Sequence, residues 1–274
     1  MHSHTKRTAS RSRLVLALLA VLPWMVGGVD AATPLTVRVA YVGPAESDSL
    51  AGARQGIAEG NAQGKFLGLV FELTDSRDVA TAVAGAPVAV LIDLPAADVM
   101  PSAKHAAGVA VINTGAEDDA LRARCAPNLL HTLPSAAMRA DALHQWRQKS
   151  PQSQASAHAW HWRAEMYAGA QLNKRYTDKT GKPMSDQAWA GWAAAKLVTD
   201  TAARLKSADP AALLKALRED LAFDGQKGVE MSFRPNGQLR QPLLLVEQDD
   251  IVGEAPVRGV ATDLDSLGSS DCAP

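Results

Sequence analysis

The chain has 274 residues, 47% hydrophobic and 21% charged, with a formal net charge of −1. That composition suits a folded chain of one or two domains and excludes collagen-like, disulfide-scaffold and disordered classes. The charge balance gives no footprint for nucleic acid, and 2 cysteines cannot build a Cys-rich zinc or iron–sulfur centre.

Residues 1–13 carry Lys6, Arg7, Arg11 and Arg13 and no acid. An apolar run over 14–29 follows, then Val29-Asp30-Ala31 with a small residue at the cleavage position. This order reads as a secretory signal peptide over residues 1–31. The alternative, a membrane anchor, is disfavoured because the run falls short of the roughly 20 residues a bilayer needs. Pro23, Gly27 and Gly28 also weaken it as a helix. Subtracting four bases and one acid from 28 and 29 leaves a mature chain of 24 basic and 28 acidic side chains. The expected location is the bacterial periplasm. In that oxidising space Cys125 and Cys272, both in polar, loop-like stretches, are expected to pair; two unpaired thiols are the alternative.

The mature chain alternates strands and helices. Residues 35–42 read as a first strand ending at Gly43-Pro44, and residues 49–61 as a helix with Leu50, Ala53 and Ile57 on one stripe. Strand 67–73, a short helix over 78–84, the unbroken apolar strand 88–92 and a helix over 96–107 follow. Then come strand 109–112, a helical turn over 118–124, strand 129–132 and a helix over 135–149. Short connections between such elements predict a parallel α/β sheet covered by helices on both faces, a three-layer fold. No Gly-x-Gly-x-x-Gly follows the first strand, and no Walker, Gly-x-Ser-x-Gly or His-Glu-x-x-His motif occurs. The chain is therefore expected not to be an enzyme and to need no cofactor.

Residues 150–157, SPQSQASA, read as a linker. Helices are expected over 158–180, 185–207 and 211–221, the last after the Asp209-Pro210 cap. Asn236-Gly237 lies between the apolar runs 229–233 and 241–247 and predicts a C-terminal hairpin. The last twenty residues look irregular.

Four stretches together carry a family resemblance: VRVAYVGPAESDSLAGARQGI, GVAVINTGAEDDALRARCAPNLLHTLPS, QLNKRYTDKTGKPMSDQAWAGWAAAKLVTDTA and FRPNGQLRQPLLLVE. The chain resembles the periplasmic substrate-binding proteins (type I) of branched-chain-amino-acid-type ABC transporters. Residues 128–132, residues 236–242 and Cys272 resemble elements of the subfamily associated with pyrroloquinoline quinone (PQQ)-dependent alcohol dehydrogenase systems. The resemblance implies a periplasmic solute-binding component that works with an ABC transporter permease and binds a small molecule or metal ion. A PQQ-dependent dehydrogenase is the further partner it implies, and a non-transport partner or scaffold for such a dehydrogenase is the alternative function. Two-lobed members carry a second α/β lobe where this chain has residues 150–157. The expected organisation is therefore a signal peptide (1–31), an α/β lobe (32–149), a linker replacing the second lobe (150–157), and returning helices with a hairpin packed on the same lobe (158–274).

Ligands of open α/β sheets sit at the carboxyl ends of the strands. The candidate ligand-binding residues there are Glu46, Asp48, Asp75, Asp93, Thr114 and Glu117. Several carboxylate oxygens on one rim suit a hard cation, calcium or a rare-earth ion included; helix caps and solvated loop acids are the plainer reading. His158, His161 and Glu165 stand at i, i+3 and i+7, a spacing that places metal ligands on one helix face, although Trp160 and Trp162 between them suit simple packing. Trp189 and Trp192 read as core. Arg234 and Arg240 read as surface charges or an anion contact, and His131 as a satisfied buried histidine.

Overall fold

A computed structural model of the chain describes residues 33–269 together with His2 and Cys272. The signal-peptide reading of residues 1–31 lies outside the described residues, His2 apart.

The alternation in the strands builds a parallel sheet with two apolar faces. Strands β1 (Leu35–Val42), β2 (Leu69–Ser76), β3 (Ala89–Ile92), β4 (Ala110–Asn113) and β5 (Leu129–His131) pair in the order β2-β1-β3-β4-β5. Every pairing is parallel. Along β1, Val37, Val39 and Tyr41 enter one core while Ala40 and Val42 enter the other. Along β3, Ala89 and Leu91 alternate in the same way with Val90 and Ile92. This period of two places a hydrophobic layer on each face, and helices cover both.

One face carries α2 (Val79–Ala84), α3 (Ala96–His105) and α4 (Asp119–Ala123). The other carries α1 (Asp48–Gly64) together with later helices. Helix α5 (Ala136–Lys149) leads to β6 (Ser156–His158). Then come α6 (Gly169–Thr180), α7 (Asp186–Leu205) and α8 (Pro210–Glu219), whose apolar residues join the α1 core. Side-chain caps start the helices where the sequence offers them: Ser47 for α1, Ser135 for α5, Ser185 for α7 and Asp209 for α8.

The C-terminal hairpin forms one strand later than expected. It joins β7 (Leu243–Glu247) to β8 (Asp250–Ala255) through Gln248 and Asp249, both at positive φ. The Asn236-Gly237 turn is present, but it closes only a single bridge between Phe233 and Leu239. Strands do not extend from it because Gly237 (φ +81°) is pressed against the chain at Leu129, where an added Cβ would meet the carbonyl oxygen at 2.2 Å. The turn is docked on β5 instead, through the His131 N–H donating to the Gly237 carbonyl. β6 pairs with β7, so β6, β7 and β8 make a separate three-stranded antiparallel sheet. Met138 and Ala142 of α5 pack on it with Leu243, Leu245 and Ala255.

The helix expected over 158–180 begins only at Gly169. His158 belongs to β6, while Trp160 and Trp162 sit in an irregular segment. That segment is held by Asn173, whose Nδ2 donates to the carbonyls of Trp162 and Ala164. Cys125 and Cys272 are joined by a disulfide across 147 residues.

Candidate functional site

The carboxyl ends of β1, β3 and β4 form a polar rim. Ser47 serves two purposes: its Oγ caps Ser49 N–H at 3.0 Å and donates to Asp93 Oδ2 at 2.5 Å. Tyr41 also reaches Asp93, at 3.4 Å. Burial, with Asp93 alongside, pushes the Tyr41 phenol above its ordinary range. Ser49 donates to Thr114 Oγ1 at 2.7 Å, and Thr114 donates to the Ile92 carbonyl at 3.0 Å. Thr114 and Ser49 are both fully buried, so this pair ties the start of α1 to the end of β4 beneath the rim.

Three other acids of the rim are paired. Asp48 accepts from Ser185 Oγ at 2.6 Å, and Asp75 from Arg54 at 2.5 Å. Glu117 pairs with Arg139 at 2.8 Å, and Arg139 pairs with Asp186 at 2.7 Å. Asp186 also accepts from the Trp160 N–H at 2.9 Å and lies 3.5 Å from His158. Burial works against the Asp186 carboxylate, but His158, Arg139 and the Trp160 amide outweigh it and hold it below its usual range. The six residues expected at the rim do lie there; the structure does not gather them round one point. Glu46 and Asp48 line a shallow concavity of about 290 Å³ with Arg54 and Lys182, so it presents charges of both signs.

Two expectations are corrected here. His158 and His161 do not share a helix face with Glu165, because no helix runs through them. They pair instead with Asp186 and with Asp249, and no group of three potential metal ligands occurs among the described residues. Arg234 is not a surface charge: it is 1% exposed and donates to Asp265 and the Leu264 carbonyl. Arg240 joins it on Asp265. His131 is buried as expected but only half satisfied: Nδ1 lies 3.0 Å from Asn113 Nδ2 while Nε2 has no partner among the described residues, and burial holds the imidazole well below its ordinary range. Trp189 and Trp192 are core, while Trp162 is 43% exposed.

A second cavity, of about 340 Å³, was not legible in the sequence. The segment from Trp160 to Tyr167, the turn at Gln226 and Lys227, and strands β7 and β8 enclose it. Lys227 is 5% exposed. Its ammonium donates to Gln241 Oε1 at 2.8 Å and to the Pro242 carbonyl at 2.9 Å, and lies 4.0 Å from the Trp189 ring centre. Burial pushes it down to about 7. Burial raises the Glu254 carboxyl in the same wall, and Lys227 partly offsets that. Gly225 and Gly228, both at positive φ, flank this lysine. A turn of that kind has no periodicity and gives no sequence signal for burial.

The comparisons define the class of fold. Residues 152–252 match the periplasmic binding protein family model. The structure is similar to a branched-chain amino acid ABC transporter periplasmic ligand-binding protein of Burkholderia xenovorans LB400. That match has 12% identity and a TM-score of 0.69, and covers 84% of this chain and 96% of that one. It is also similar to an amino acid ABC transporter substrate-binding protein of Pseudomonas fluorescens Pf-5, at 13% identity and a TM-score of 0.64, covering 89% and 96%. A third match is a solute-binding protein of an ABC transporter from Rhodopseudomonas palustris BisB5, in complex with 3,4-dihydroxy benzoic acid. Its values are 11% identity and a TM-score of 0.63, covering 80% and 94%. No curated protein matches the chain significantly. The parallel sheet with its helices has the fold of a type I periplasmic binding protein lobe.

Proposed function

We propose that this protein is a periplasmic solute-binding component of an ABC-type transporter, acting by binding rather than by catalysis. The observation that carries this reading is the strand-end concavity: on this fold, Glu46, Asp48, Arg54 and Lys182 offer both signs of charge to a small zwitterionic or polar solute. Two similar structures are binding proteins of amino acid ABC transporters, which supports the same class of ligand. In this reading Asp75 and Asp93 act on the solute site indirectly, by holding Arg54 and Ser47 of its lining, while Thr114 and Glu117 lie away from it. The partner is a transporter permease. Only residues 150–155 separate α5 from β6, which supports a linker in place of a second lobe. The resemblance to PQQ-associated members supports a finer role in alcohol oxidation.

A thermal-shift panel of amino acids, alcohols, carboxylates, PQQ, calcium and lanthanides tests the reading. A small polar solute should raise the Tm, and Glu46→Gln with Lys182→Ala should abolish that rise. Exposed Trp162, Met166 and Tyr167 favour a second reading, a protein partner for a periplasmic dehydrogenase. Silence across the panel with a co-purifying dehydrogenase subunit would select it.

A further inference from the structure

The cavity under the Trp160–Tyr167 segment is separate from the strand-end concavity and does not depend on the reading above. Its walls are mainly apolar, with Trp160, Tyr167, Leu244 and Val252 among the lining residues. Four polar residues interrupt them, the carboxylates of Glu165 and Glu254 and two groups that can meet a ligand. The first is the Lys227 ammonium, whose hydrogen-bond acceptors are the neutral oxygens of Gln241 and Pro242. Among the described residues it has no carboxylate in salt-bridge range; Asp186 and Glu254 act on it only at longer range. A buried cation held by neutral dipoles alone is costly, and an anion brought beside it recovers part of that cost. The second is Gln226, whose Oε1 is buried and has no hydrogen-bond partner. An orphaned acceptor of that kind is satisfied by a donor on a bound molecule.

We propose that this cavity binds a small monocarboxylic acid with an apolar body and a hydroxyl group. The carboxylate sits against Lys227, the hydroxyl donates to Gln226 Oε1, and the apolar body lies against Trp160, Tyr167 and Val252. A volume of about 340 Å³ falls within the range of small-molecule pockets and suits a ligand of this size. Glu165 and Glu254 in the same lining set a preference for monoacids, because a second carboxylate would face them.

The test is titration of the intact protein with mandelate, phenylacetate and hexanoate, followed by Trp fluorescence and calorimetry. 1-Phenyl-1,2-ethanediol is the control without a carboxylate. Mandelate should bind with a Kd of roughly 1 mM or tighter, and the diol at least about tenfold more weakly. Lys227→Met should cost about tenfold or more, as expected for a charge-assisted hydrogen bond. Glu254→Gln should tighten binding a few-fold by removing a like charge. Val252→Trp, at a position 39% exposed, should block the cavity without touching the core, so it covers the case in which the lysine variant does not fold. Glu46→Gln with Lys182→Ala should leave mandelate binding unchanged, which separates this site from the strand-end solute site. The proposal is overturned if none of the three acids binds, if the diol binds equally well, or if Val252→Trp has no effect.

Discussion

A Cβ added to Gly52 would lie 1.8 Å from the carbonyl oxygen of Ala188, so α1 and α7 touch backbone to backbone at that point. The contact repeats along both helices: Gly56 meets the Trp192 carbonyl and Gly60 meets Thr199, while Gly191 meets the Ser49 carbonyl. Positions rise together on the two helices, so they run parallel, and glycines every fourth residue on α1 make the groove.

Gly52→Ala is therefore expected to destabilise the protein by about 1–3 kcal/mol or more, as overpacking does. In an exposed helix the same change would stabilise by about 1 kcal/mol. Urea unfolding decides the sign, and an unchanged or higher midpoint would contradict the close α1–α7 packing.

Arg139 joins three parts of the chain, with Glu117 on one side, Asp186 on the other, and its Nη1 also donating to the Ala157 carbonyl. Arg139→Ala leaves Asp186 half-buried without its cation and should cost about 3–5 kcal/mol. Asp186 is held below its usual range, so its stabilisation is complete above the unfolded carboxylate value near 3.9 and is lost as pH falls through the folded value. Asp186→Asn should flatten the acid limb of stability against pH; an unaltered limb would show that the pair does not set it.

Lys227 gives the opposite end of the profile. Unfolded it titrates near 10.4, and folded near 7. Between those values the unfolded chain holds a proton that the folded chain has released, so stability rises with pH across the window. The difference between the wild-type chain and Lys227→Met should climb by up to about 1.4 kcal/mol per pH unit from 7 to 10. Denaturant melts at each pH measure it, and a flat difference would mean the ammonium stays charged in the folded protein.

The Cys125–Cys272 bond closes a loop of 147 residues' separation and ties the C-terminal tail to the turn after α4. Reduction should lower stability by about 3–5 kcal/mol on the loop-entropy scale. The Cys125→Ser, Cys272→Ser double variant should match the reduced protein and be insensitive to dithiothreitol. If dithiothreitol leaves the melting of the native chain unchanged, the bond contributes nothing.

The strands and most helices were legible because their signals are local. Apolar alternation places β1 at Leu35–Val42, where the sequence reading also put it, and Ser185 and Asp209 mark where α7 and α8 begin. Errors arose where distant segments decide the outcome. Residues 158–168 carry apolar side chains at helical spacing, yet Asn173 and Asp186 hold their backbone in an irregular path. Arg234 looked like a turn residue on the surface, but Asp265 and the Leu264 carbonyl enclose it from 30 residues away.

A three-layer α/β lobe and a polar rim at its strand ends are written in local sequence, because burial period and strand-end loops are properties of consecutive residues. The sequence also supplied both cysteines of the bond that ties the tail. Which rim acids pair with Arg54, Arg139 and Ser185, and the enclosure of Lys227 beside Trp189, follow from long-range packing. Those partners lie tens of residues or more apart in the chain. Their pairing is set by how the helices and the small antiparallel sheet pack, and no local pattern encodes it.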